Sequence, residues 1–154
     1  MILYLHVIGA TVLLGTGAGI AFFMVMANAT RNPTLIAHVA NTVVTADLLF
    51  TATAVVAQPV TGTLLAIDSG YPLMEDWLLA SILLYIVTGL FWIPVVFIQV
   101  KLRSLAREAA DKSLDLPPEY HRLYRVWFAF GFPAFASVLA IVWLMLAKPE
   151  LPML

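Results

Sequence analysis

The sequence predicts an all-α membrane protein, a four-transmembrane-helix bundle, and three observations carry that expectation. The chain is 62% hydrophobic and 11% charged, with a mean hydropathy of +0.97, far from the balance of a domain with a solvated surface. No Asp, Glu, Lys or Arg stands between Met1 and Thr30, a run long enough to cross ~30 Å of hydrocarbon. Three further apolar segments follow, each set off by turn chemistry. With 154 residues there is room for four spans and short connections, so residues 1–154 are expected to form a single membrane domain.

The expected spans are residues 2–27, 35–67, 77–100 and 124–147. The first reads as an uncleaved helix, because it lacks a basic n-region and exceeds the ~7–15 residues of a signal-peptide core. Arg31-Asn32-Pro33 separates it from the second segment, which as one helix would run ~50 Å against a ~30 Å core and must tilt, kink or protrude. A kink is expected at Gln58-Pro59-Val60-Thr61-Gly62, where proline removes a backbone donor. Asp68-Ser69-Gly70-Tyr71-Pro72 forms the next turn, and Pro117-Pro118 ends the polar linker before the fourth span. Arg103 to Asp111 should extend the third helix beyond the membrane, with Arg107 and Asp111 spaced to pair.

Of the eight basic residues, all but Lys148 follow the first span or lie between and beside the last two. The positive-inside rule then places both termini outside, in the periplasm, and the basic loops in the cytoplasm. A bacterial inner (cytoplasmic) membrane is the expected location. The chain has no cysteine, which excludes disulfides, thiolate metal sites, iron–sulfur clusters and covalently attached haem. No Ser/His/Asp set, phosphate loop or zinc-protease motif is present, no metal site is expected, and no basic tail suggests nucleic acid.

The polar residues inside the spans are the candidates for chemistry. His6 is the one ionisable side chain of the first span; it is close enough to the outer interface for a structural role, or it ligates haem or a metal. Ala10, Leu13 and Gly17 share its helical face and leave room for a flat ligand or a neighbouring helix. Asp47 is the carboxylate buried within a span, and it opens a stripe of Asp47, Thr51, Ala54, Gln58 and Thr61 that should face the bundle interior. Such a stripe suits hydrogen bonding between helices or a proton or ion path. Asp47 itself lies in the cytoplasmic half, whereas His6 lies in the outer half, roughly level with Gln58, Thr61 and Ser81.

His38 and His121 both fall near the cytoplasmic interface, where hydrogen bonding or a shared site is allowed. Gly15 and Gly19 have the spacing for close helix approach, read first as packing within the chain and second as a homodimer contact. Met145 stands at a height where it would serve core filling or a second axial position opposite His6. The lipid bilayer is the expected partner, with other membrane subunits as a further one.

Leu5-His6-Val7-Ile8-Gly9, Gln58-Pro59-Val60-Thr61-Gly62, Trp77-Leu78-Leu79-Ala80-Ser81 and Leu146-Ala147-Lys148-Pro149 together resemble a bacterial membrane family known as domain of unknown function 2269. More distantly, the chain resembles the four-helix membrane protoporphyrinogen IX oxidase and the copper-resistance D proteins. That resemblance implies a b-type haem on His6, matching a first-helix histidine, and matches Lys148-Pro149 to a terminal Lys-Pro. The oxidase-like pattern carries a lysine where this chain has Ser81, and Asn-Glu where it has Phe130-Gly131. Losing a cation and a carboxylate argues against oxidase activity. The expected function is therefore haem binding through His6 for electron transfer, haem handling or a respiratory assembly, with a cofactor-free accessory subunit or an Asp47-based proton/ion-coupled carrier as alternatives.

Overall fold

The computed structural model describes residues 1–150, all of whose regular structure is helical. Helix α1 spans Ile2–Ala29, α2 Pro33–Ala46, α3 Ala52–Asp68, α4 Asp76–Asp111 and α5 Pro118–Ala147, and a π-helical segment, Asp47–Thr51, joins α2 to α3. Because α2, the π segment and α3 run on without a break, four helical columns are long and apolar enough to cross a membrane. Each column exceeds its expected span. Helix α4 continues to Asp111, as the charge pattern foretold, but Arg107 and Asp111 do not pair there; Lys112 donates to Glu108 instead, at 2.5 Å.

Local chemistry accounts for the ends. Asn32 caps α2 by accepting from the backbone N–H groups of Thr34 and Leu35, at 3.0 and 3.3 Å, and Pro33 occupies the first turn, where no donor is missed. Arg31, at φ 55°, makes the left-handed residue that turns α1 into that cap. Helix α5 ends on Lys148 in the left-handed conformation, with φ 42°. Its ammonium group donates to the Tyr71 hydroxyl at 3.2 Å and lies 4.7 Å from the Tyr71 ring centre and 5.6 Å from that of Trp77. This latch ties the last helix to the turn before α4.

At the expected kink, Pro59 lies within the unbroken helix α3, and its missing N–H would orphan the carbonyl of Val55 one turn earlier. The Tyr85 hydroxyl of α4 donates to that carbonyl, so the lost bond is made good between helices and α3 stays regular. At Asp47–Thr51 the ladder widens to the i→i+5 pattern.

Helix α4 packs most extensively against α5 and also against α2, while α1 lies along α2, the π segment and α3 and only lightly against α5. Two apolar clusters result. The larger one, at the end bearing the basic loops, includes Met24, Ile36, Leu102 and Tyr120, all fully buried. The smaller, at the end bearing the termini, comprises Ala66, Trp77, Leu78 and Leu144. Large apolar side chains such as Phe22, Phe50, Leu90, Phe97 and Leu146 point outward, as a lipid-facing surface requires.

Candidate functional site

Two sets of polar side chains occupy the bundle between these clusters. The first is built around His6 on α1. Thr61 of α3 donates its hydroxyl hydrogen back to the carbonyl of Ala57, at 2.8 Å. A hydroxyl has one hydrogen to give, so with Thr61 giving it to the helix backbone the imidazole would be the donor at the 2.9 Å contact between His6 Nδ1 and Thr61 Oγ1. Nδ1 therefore carries the proton and Nε2 keeps its lone pair. Gln58, one turn before Thr61, donates Nε2–H to the His6 carbonyl at 2.8 Å.

Two glycines make this contact between helices fit. A Cβ on Gly9 would come within 2.3 Å of Gln58 Nε2, and one on Gly62 would lie 3.1 Å from His6 Cε1. The level shared by His6, Gln58 and Thr61 was legible in the sequence; the roles of Gly9 and Gly62 were not.

The second set lines a cavity of about 340 Å³ at mid-depth. Ala10, Leu13 and Gly17 of α1 form one wall, and Asp47, Thr51 and Gln58 another; Tyr85, Trp92 and Gln99 of α4 and Trp127, Gly131 and Phe135 of α5 complete it. The stripe from Asp47 to Gln58 thus faces the interior, as its spacing predicts. Asp47 is buried, with its carboxyl beside the Thr51 hydroxyl and the Trp92 side chain. The Thr51 hydroxyl falls short of hydrogen-bond geometry, and neither Gln99 Nε2 nor Trp127 Nε1 has a partner among the described residues. Gln99 and Trp127 escaped the sequence reading because both fall next to the polar linker, where a residue is first taken as interfacial.

His6 does not line the cavity, although Gln58 touches both. Met145 packs against the cluster of Ala66, Trp77, Leu78 and Leu144. His38 borders a shallow groove with Asn41, Arg103 and Arg107, whereas His121 lies edge-on to Tyr120 with ring centres 5.7 Å apart. Among the described residues no group of three or more His, Asp or Glu comes together. Gly15 has nothing within 4 Å of a built Cβ, and Gly19 meets only Phe23 of its own helix. The expected packing of this pair within the chain therefore does not form, because α5 approaches α1 along Gly17, whose Cβ would meet Phe135 at 4.0 Å.

A family model described as "Predicted integral membrane protein (DUF2269)" matches residues 1–149. The chain belongs to this family. No curated protein and no solved structure matches it significantly. For this DUF2269 member the membrane assignment is secure on two grounds, the family match and four long apolar helices. Ser81 donates to the Trp77 carbonyl at 2.7 Å, and Gly131 presents a bare backbone to the cavity. Neither position supplies a charge.

Proposed function

We propose that this chain holds a b-type haem through His6 in a bacterial inner membrane, with its termini periplasmic, and serves electron transfer, haem handling or a respiratory assembly. The observation that carries the reading is the hydrogen bond from His6 Nδ1 to Thr61, 2.9 Å long. Histidines that ligate metals almost always give their second nitrogen to such a partner, which fixes the tautomer and the plane of the ring. His6 would supply one protein ligand to the group, and Gly62 leaves the space against which the imidazole lies. The match of Leu5-His6-Val7-Ile8 to the haem-associated stretch of the four-helix relatives supports the same residue.

Without cysteine, haem could be held only by coordination and packing. Bound there, the group would supply one-electron chemistry. The chain's own part is to present Nε2, to hold the ring through Thr61, and to brace the α1 backbone through Gln58. Met145 is committed to apolar packing, so the reading assigns one protein ligand. The concentration of basic residues at one end of the bundle supports a cytoplasmic position for that end.

The test is an absorption spectrum of protein purified from haem-supplied cells. A Soret band is expected, it should vanish in His6→Ala, and Thr61→Val should weaken haem retention by about 10–100-fold. A colourless wild-type protein would overturn the proposal.

A further inference from the structure

The cavity at mid-depth asks for an occupant of its own. Gln99 is 2% exposed and Trp127 4% exposed, both line the cavity, and the donor atoms Gln99 Nε2 and Trp127 Nε1 have no acceptor among the described residues. Within a bilayer core no bulk water answers such groups, so a buried donor without a partner is strongly unfavourable. A bound molecule that displaces any ordered water from the cavity would supply the acceptors. The volume of about 340 Å³ falls in the range of small-molecule sites, about 300–1,000 Å³.

The walls restrict its chemistry. Trp92, Trp127, Phe128 and Phe135 present aromatic surface, which favours a flat unsaturated ring. No Lys, Arg or His lines the cavity, so an anionic head would be left without a counter-charge. A cationic head would find a counter-charge in Asp47 but would leave the two donors unanswered, and a saturated acyl chain would answer neither. The route of entry is visible as well. Ala18 and Ala21 of α1 and Phe128 and Phe132 of α5 line the cavity yet are exposed on the outer surface, so it opens sideways toward lipid along the sparse α1–α5 seam.

The geometry points to a binding site for an uncharged lipid-soluble quinone. Its ring lies among the aromatic side chains, its carbonyl oxygens accept from Gln99 Nε2 and Trp127 Nε1, and its tail leaves between α1 and α5. This site is separate from the nitrogen of His6 and stands whether or not haem is bound there.

Two glycines allow a clean test. Gly89 and Gly131 line the cavity from different helices, and a Cβ on either meets nothing within 4 Å. Leucine at either position fills the cavity from an open direction while replacing a poor helix former by a good one. Wild-type protein in phospholipid nanodiscs free of quinone would be titrated with decylubiquinone while tryptophan emission is followed, since Trp92 and Trp127 line the site. Saturable quenching at one quinone per chain is expected. Gly131→Leu and Gly89→Leu should each weaken it at least tenfold and Gln99→Leu about tenfold, whereas Leu146→Ala, at an 81% exposed position, should leave it unchanged.

Melting curves confirm that each variant is folded, and if one glycine variant is not, the other on its separate helix decides. Quenching that only rises linearly with quinone, as partition into lipid gives, would overturn the proposal. So would saturable quenching that survives in a folded glycine variant. Mass spectrometry of protein extracted from its native membrane should show a retained quinone, lost in Gly131→Leu; a phospholipid or a porphyrin lost in its place would also overturn it.

Discussion

The two ends of this bundle are built differently. At the basic end, Met24, Ile36, Leu102 and Tyr120 are fully buried and join α1, α2, α4 and α5 in one packed cluster. At the terminal end the cluster is four residues from α3, α4 and α5, α1 is held by hydrogen bonds from His6 and Gln58, and a lysine latch secures the last turn of α5. The cavity lies between. In a bilayer, apolar burial alone gives helices little reason to associate, so packing and specific hydrogen bonds must do it. The basic end uses the first and the terminal end the second; His6 and Gln58 belong to the second region, while the cavity between the two reaches Trp127 of the basic-end cluster.

Truncating one leucine at each end gives the sharpest contrast. Leu102→Ala should lower stability by about 2–5 kcal/mol, the range for emptying a closed core, and Leu144→Ala should fall at or below the bottom of that range because its smaller cluster can collapse. Unfolding in mixed micelles would measure both, and equal losses would erase the distinction. Gly9→Ala comes next: its Cβ would sit 2.3 Å from Gln58 Nε2, so the bond to the His6 carbonyl must break, costing about 1–3 kcal/mol. The milder 3.1 Å approach at Gly62 should make Gly62→Ala less damaging, with the larger share of its effect on any signal from His6.

A subtler outcome concerns Tyr85. Tyr85→Phe strands the Val55 carbonyl and should cost about 1–3 kcal/mol. In a Pro59→Ala background, residue 59 regains an N–H that can serve that carbonyl, so the same change should then cost clearly less. A double-mutant cycle reads the coupling directly, and additive losses would show that the tyrosine does not compensate the proline. The smallest expected change is of opposite sign. Gln99→Leu removes an unanswered donor at nearly constant volume and should raise the stability of the ligand-free protein by about 1 kcal/mol.

How much of this was legible in the sequence depends on how far each feature reaches. The spans rest on runs of apolar residues, and the Asp47–Gln58 stripe on the helical period, so both were readable. The shared level of His6, Gln58 and Thr61 followed from counting turns. The compensation of Pro59 was unreadable because it comes from Tyr85 on another helix, which no local rule contains. Gly15 and Gly19 were misread for a related reason: small-residue spacing says that a helix can be approached closely, not which face is chosen, and α5 takes the face bearing Gly17. The cavity was unreadable, since Gly89, Gly131, Gln99 and Trp127 share no period and meet only through tertiary packing.

The π segment also sets the phase of everything after it. An α-helix turns ~100° per residue, so an extra residue taken up at Asp47–Thr51 swings the whole of α3 about its axis relative to α2. Deleting one of Leu48, Leu49 or Phe50, which all face outward, would let the column relax to a regular helix and turn α3 by about a quarter revolution. Gln58 and Thr61 would then leave α1, and Val55 would leave Tyr85, while α2 kept its place in the basic-end cluster. Five residues of altered winding thus act as the angular key that brings one half of a long helix into register with chemistry that the other half does not share.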